Sequence, residues 1–166
     1  MRKTAIIALI TLFGFGSVTP SYAWDAELKT DDFGSKVAYA RAYFIPGVGN
    51  TDSFEKAYDN GEFNSLIIRC QDRKLEIFLV DSENTFTEGS ALVRFGSGAP
   101  KSWSTTRSSD NEAIFFSNAK TLATSITKIS KFYVRAGGAS GYITANFNTT
   151  GLSNQRTIFK KAGCTF

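Results

Sequence analysis

The sequence contains no histidine, and its one methionine is the initiator. The absence of histidine excludes a His-based catalytic triad and every zinc, copper or haem site that needs an imidazole ligand. Two cysteines alone rarely make a structural metal site. We therefore expect no bound metal and no cofactor.

Other patterns that indicate catalysis are sparse. A serine nucleophile without histidine needs a lysine base, and the one tempting pair, Lys101 and Ser102, lies on a predicted strand where adjacent side chains point to opposite faces. The carboxylates form no close local pair of the kind that glycosidases use. We therefore predict that the chain is not an enzyme, with an envelope hydrolase as the competing interpretation.

The charge of the chain is close to balanced. It carries 19 basic and 15 acidic residues, and Arg2 and Lys3 belong to an N-terminal segment that we expect to be removed. Without these two, 17 basic residues stand against 15 acidic ones, a balance of +2. Nucleic-acid binders carry a much denser positive field, so no nucleic-acid partner is expected.

The first 23 residues have the three parts of a secretory signal. A basic start precedes an apolar, uncharged run over 4–18, and Ser21-Tyr22-Ala23 places small residues before a cut after Ala23. The apolar run is too short, and too soon followed by Pro20, for a stable membrane span. We therefore expect a signal peptide over 1–23, a periplasmic location, and no stable membrane insertion after cleavage. An uncleaved anchor is the alternative.

Cys70 and Cys164 are the two cysteines of the chain. In an exported protein, an even pair of cysteines favours a disulfide over free thiols. A bond between them would close a loop of nearly a hundred residues, which is worth roughly 4–5 kcal/mol in the chain-entropy model. Two free, buried thiols are the alternative.

The hydrophobic pattern predicts a mainly β fold, an antiparallel β-sandwich-like domain with two short α-helices, one of them at the C-terminus. The centre of this prediction is a hairpin over 65–80, in which apolar residues alternate on both arms around a tight polar turn between Cys70 and Leu75. We expect a single domain over 24–166, with 24–63 as a loosely defined N-terminal part. Within that part, 24–35 is predicted to be loose, and 53–58 could form one helical turn. Further strands are predicted at 36–45, 91–96, 101–107, 112–116, 130–136 and 142–148, and helices at 119–126 and 151–161.

The order of these segments resembles the VasI/TagO group, exported accessory proteins associated with type VI secretion systems. The resemblance covers about 64–164, and no single motif carries it. It rests on the Leu-Ile-Ile-Arg-Cys, Val-Arg-Phe, Lys-Ser-Trp-Ser, Glu-Ala-Ile-Phe-Phe and Ala-Asn-Phe-x-x-x-Gly-Leu segments that begin at 66, 93, 101, 112 and 145, with a helix leading to a terminal cysteine. It implies an exported accessory role and independently supports pairing Cys70 with Cys164. It implies no catalytic residues.

Three arginines lie in mid-strand beside apolar neighbours that face the other way. If the strands align, Arg69, Arg94 and Arg135 share one face with Glu76, Trp103 and Tyr133. Arginines mixed with aromatic residues favour contact with a protein or an anionic ligand. These six residues are the candidate partner-binding site, and a solvated face with scattered ion pairs is the alternative.

These observations predict a periplasmic accessory protein that acts by binding another envelope protein, in a role like that of the type VI secretion group. Within binding, the alternative is a phage-derived (prophage) exclusion protein or a lysozyme-inhibitor-like protein. The sequence leaves the identity of the partner and the oligomeric state open.

Overall fold

The computed structural model describes residues 24–51, 53–59, 61–83 and 85–166. The predicted signal peptide over 1–23 lies outside the described residues and stays a prediction. The strands are β1 (Asp25–Thr30), β2 (Lys36–Ile45), β3 (Gly49–Thr51), β4 (Asn64–Gln71), β5 (Lys74–Asp81), β6 (Phe86–Phe95), β7 (Lys101–Arg107), β8 (Ala113–Phe116), β9 (Lys131–Gly138) and β10 (Gly141–Asn148). The helices are α1 (Phe54–Asp59), α2 (Ala119–Ile126) and α3 (Arg156–Lys161), and a 3₁₀ turn over Leu152–Gln155 precedes α3.

All strand pairs are antiparallel, and their order is β1-β2-β4-β5-β8-β7-β6-β9-β10, with β3 paired to the end of β2. Strand β7 belongs to two layers, because Lys101–Ser104 pairs with β6 and Thr105–Arg107 pairs with β8. The sheet therefore folds over at β7 into a first layer of β1–β5 and β8 and a second layer of β6, β7, β9 and β10. The predicted mainly antiparallel β fold is confirmed.

The central hairpin of the first layer is β4–β5. Leu66, Ile68 and Cys70 of β4 point inward and are buried, and in the register they oppose Leu79, Ile77 and Leu75 of β5. The two-residue turn at Asp72 and Arg73 has positive φ at both positions, which is the backbone of a type I′ hairpin turn. This turn matches the right-handed twist of the strands, so it fixes the register of the pair.

The core lies between the two layers. Ile68 and Leu79 of the first layer and Val93, Phe132 and Phe147 of the second belong to one buried cluster. Helix α2 adds three buried residues and helix α3 adds Phe159. The start of α2 and the end of α3 line clefts together with Arg73, so both helices lie at the end of the sandwich that holds the hairpin turn. None of the described helices is long and apolar enough to cross a bilayer.

Two predictions about the N-terminal part need correction or refinement. Residues 24–35 are not a loose segment, because β1 pairs with β2 along its whole length, from Asp25 opposite Arg41 to Thr30 opposite Lys36. The polar, acidic composition that suggested a loose segment instead supplies the outer face of an edge strand. The helical turn considered for 53–58 forms as α1, so the described chain has three short helices and not two.

Candidate functional site

The predicted disulfide is present between Cys70 and Cys164, which are 94 residues apart in the chain. Both cysteines are buried in the core cluster. Helix α3 ends at Lys161, and Gly163 shortly after it has a φ of +91°, which lets the chain turn toward the sheet and brings Cys164 beside β4. The bond therefore joins the central hairpin to the C-terminal helix.

Arg69 and Glu76 lie directly opposite each other on the outer face of the first layer. The Arg69 guanidinium donates hydrogen bonds to Glu76 Oε2 from both Nε, at 3.0 Å, and Nη2. Lys74 Nζ is 2.8 Å from Glu76 Oε1, so each oxygen of the carboxylate has a cationic partner. Partial burial alone would raise the pKa of Glu76, but the hydrogen bonds from Lys74 and Arg69 outweigh it and lower this pKa below the ordinary 4.5.

The same outer face continues across β2 and β1 with further ion pairs. Arg41 lies 2.7 Å from Glu27 and 3.5 Å from Asp25, and Lys29 lies 2.9 Å from Glu27. Arg41 and Arg69, the two arginines of this outer face, therefore already have carboxylate partners within the chain. A bound anion or acidic partner would have to displace them, so this face is a poor candidate for such a ligand.

On the outer face of the second layer, the arginines contact aromatic rings instead of carboxylates. Arg94 of β6 lies opposite Tyr133 of β9, and its guanidinium stacks 3.9 Å from the centre of the tyrosine ring. Arg135 of β9 lies 5.1 Å from the ring centre of Tyr142 on β10. Among the described residues, neither arginine is within ion-pair distance of a carboxylate. Both guanidinium groups therefore lie against aromatic rings, and no carboxylate of the described residues neutralises their charge.

Arg94, Tyr133 and Arg135 line a shallow depression of about 190 Å³. Leu92, which opposes Arg135 in the register, supplies an apolar floor, and Thr144 and Pro100 lie at its edge. We call Leu92, Arg94, Tyr133, Arg135 and Tyr142 the arginine–tyrosine surface. Tyr142 is 71% exposed, which is high for so large an aromatic side chain.

Trp103 does not lie on this surface. In β7 it opposes Ala91, which is buried, so its ring points to the inner side of the layer and packs on Phe95, with 6.1 Å between ring centres. Its indole Nε1 donates a 2.7 Å hydrogen bond to the carbonyl of Ser117. Lys101, two residues before Trp103, lies over the same rings, whereas Ser102 opposes Leu92 on the outer face.

The expectation that six residues share one face is therefore wrong. Arg94, Tyr133 and Arg135 come together on the second layer, whereas Arg69 and Glu76 lie on the opposite side of the sandwich and Trp103 faces the core. The physical reason is that a residue's side of the sandwich depends on its layer as well as on strand alternation. Tyr142 and Leu92 were missed, although strand alternation within β10 and β6 would have placed both opposite the buried residues.

Comparison with protein-family models, with curated proteins and with solved structures finds no match to this chain. The resemblance to the VasI/TagO group therefore stays a prediction.

Proposed function

We propose that this chain is exported and acts by binding another protein of the cell envelope through the arginine–tyrosine surface. The observation that carries the proposal is the contrast between the two outer faces. Arg41 and Arg69 on the first layer are paired with carboxylates, whereas Arg94 and Arg135 on the second layer are stacked on tyrosines and have no described acidic partner.

This arrangement suits a partner that presents carboxylates beside an apolar or aromatic group. Stacking holds each guanidinium plane in place, so less side-chain entropy is lost when it forms a forked hydrogen bond to a carboxylate. Arginine and tyrosine are also the residues that contribute most often to binding energy at protein interfaces. The depression over Leu92 offers a place for one apolar side chain of the partner.

The nature of the partner follows from the resemblance over 64–164, which favours a component of a type VI secretion system. A phage-derived exclusion role would use the same surface against an incoming envelope factor.

A different observation favours a lysozyme-inhibitor-like role. A cleft of about 550 Å³ lies at the end of the sandwich opposite the Asp72–Arg73 turn, and it is lined by Glu62, Asp81 and Glu83, together with Tyr142. Lysozymes that are rich in basic side chains would complement this cleft and would be repelled by Arg94 and Arg135. The two candidate partners would therefore bind different sites, one at the arginine–tyrosine surface and the other at this cleft, so that mutation of each site distinguishes between them.

The test is to remove the two unpaired charges and to measure binding. Arg94→Gln/Arg135→Gln should abolish capture of the envelope partner from the periplasm and, with the purified partner, weaken the Kd by about thirtyfold per arginine. That factor corresponds to hot-spot losses of about 2 kcal/mol each. The matched control is Lys29→Gln/Lys74→Gln, which removes the same charge from two exposed positions on the other layer.

The proposal fails if the arginine variant binds the partner as tightly as the wild type, or if the control loses as much affinity. Retained binding by the arginine variant together with loss in Glu62→Gln/Glu83→Gln would establish the acidic cleft, and with it the lysozyme-inhibitor-like role. Unchanged melting temperatures in all variants are required, because these side chains lie outside the core.

A further inference from the structure

The end of the sandwich that holds the disulfide has a strongly positive cleft. Its volume is about 530 Å³, and its walls include Lys36 at the start of β2, Arg73 in the β4–β5 turn, and Lys160 and Lys161 at the end of α3. A second cleft of about 500 Å³ shares Arg73 and Gly163 with the first and adds the cations Lys74 and Lys120. We call the two together the cationic end.

The charges of the cationic end are largely uncompensated. Among the described residues, Lys74 alone of the six forms an ion pair, with Glu76, and Asp72 is the acidic residue in the walls of the two clefts. Arg73 is held in place from two sides. Its backbone belongs to the tight hairpin turn, and its stem lies on Gly163, where an added Cβ would approach Arg73 Cγ to 2.9 Å.

The opposite end of the molecule is acidic. Asn64 opposes Asp81 at the far end of the β4–β5 hairpin, about 25 Å from the turn at a strand rise of about 3.3 Å per residue. Glu62, Asp81 and Glu83 line the cleft at that end. The sandwich thus has a positive end and a negative end, and a large anionic surface would attract the first and repel the second.

A large apolar side chain projects beside the cationic end. Phe33 lies in the β1–β2 turn, two residues before Ser35 in the wall of the first cleft, and it is 96% exposed. The turn that presents it is well ordered by hydrogen bonds. Asp31 Oδ1 accepts from the backbone N–H groups of Phe33, at 3.0 Å, and Ser35, at 2.8 Å, and the Asp31 N–H donates to the Ser35 carbonyl.

We propose that the cationic end docks on an anionic membrane surface, with lipid phosphates in the clefts and Phe33 at the boundary of the acyl chains. Lysine and arginine near an anionic bilayer each contribute about a fivefold gain in partitioning. A shallowly inserted aromatic side chain adds an apolar term. Asp31, Asp32 and Asp72 oppose this attraction, but the carboxylate of Asp31 is engaged by the turn, and the six cations outnumber these three acids.

An acidic protein segment could use the same clefts, but the structure favours a bilayer. A soluble acidic partner gives no role to Phe33, whereas a membrane accounts for an exposed phenylalanine beside a broad positive end. Docking by this end also leaves the arginine–tyrosine surface, on the side of the sandwich, accessible. The cationic end and the arginine–tyrosine surface are different surfaces, so membrane binding and partner binding can be lost independently of each other.

The test measures partitioning of the exported protein to vesicles by sedimentation, with the N-terminus of every variant checked by mass spectrometry. Mixed phosphatidylglycerol–phosphatidylcholine vesicles should bind the wild type, and pure phosphatidylcholine vesicles should not. Lys160→Gln/Lys161→Gln should weaken binding about 25-fold, and Phe33→Ser several-fold. The matched control, Lys56→Gln/Arg107→Gln, removes the same charge away from the cationic end and should bind like the wild type.

Added salt should release the wild type from the anionic vesicles, since the attraction is between exposed charges. Equal binding by the wild type and Lys160→Gln/Lys161→Gln would overturn the proposal, as would equal binding to neutral and anionic vesicles. Binding to soluble polyglutamate that is as tight as to anionic vesicles and indifferent to Phe33→Ser would also overturn it, in favour of an acidic protein partner.

Discussion

Removal of the disulfide should lower the stability of this domain by a large fraction. The bond closes a loop of 94 residues, and the chain-entropy model assigns such a loop about 4.7 kcal/mol of stabilisation through the unfolded state. Domains of this size are stable by about 5–15 kcal/mol in total. Cys70→Ala/Cys164→Ala should therefore lose between a third and nearly all of the free energy of unfolding.

The choice of alanine matters because both cysteines are buried. A serine at either position would place a hydroxyl in the core, and an unpaired buried hydroxyl costs about 1–3 kcal/mol by itself. The matched control is the wild type under reductant, which opens the bond but keeps both sulfur atoms in the core. The difference between oxidised and reduced wild type then isolates the cross-link from the loss of packing.

The assay is urea unfolding followed by circular dichroism. The reduced wild type and the alanine variant should unfold at lower urea than the oxidised wild type, with a larger m-value, because an unfolded chain without the cross-link exposes more surface. If the oxidised and reduced proteins unfold at the same midpoint, the reasoning that the bond constrains the unfolded state is refuted.

Two further predictions follow from the central hairpin. Because hydrogen bonds from Lys74 and Arg69 lower the pKa of Glu76 in the folded state, its contribution to stability is full above the ordinary value of 4.5 and is lost as the pH falls through the lowered value. The unfolding free energy of Glu76→Gln should therefore fall less than that of the wild type on acidification, as measured by urea unfolding at a series of pH values. An equal dependence on pH in both proteins would contradict the ion pair. Arg73→Gly should stabilise the protein by about 1 kcal/mol, because Arg73 has φ of +61° and glycine suits the second position of a type I′ turn. Arg73→Lys, which keeps the backbone strain, is the control, and an equal gain in both would show that the turn is not the cause.

The strands were predictable where apolar residues alternate regularly. Strand β2 was predicted at 36–45 and β7 at 101–107, and both match the structure, as does helix α2 at 119–126 with its buried stripe of Leu122 and Ile126. The prediction failed at β1, where Asp25 and Glu27 suggested a loose segment. An edge strand can carry charges on its solvent face, and its stability comes from pairing along β2, which no local pattern reveals.

The candidate site was predictable only in part. Arg94, Tyr133 and Arg135 were identified because each stands between apolar neighbours in its own strand, and the structure brings these three together. Arg69 has the same local pattern yet lies on the other side of the molecule. Its pairing with Glu76 was within reach of the sequence, since a two-residue turn fixes which residues of a hairpin face each other.

The sequence was sufficient to predict most of the strands, the inward face of most of them, and a disulfide between Cys70 and Cys164 in preference to free thiols, because periodicity is local and two cysteines allow a single pairing within the chain. Only the tertiary structure decided that β7 passes from one layer to the other and so divides the arginines between two opposite faces. It alone also brought Lys36, Arg73, Lys160 and Lys161 to one end of the sandwich. These residues are far apart in the chain, and strand order and the packing of α3, which depend on the whole core, set the distances between them.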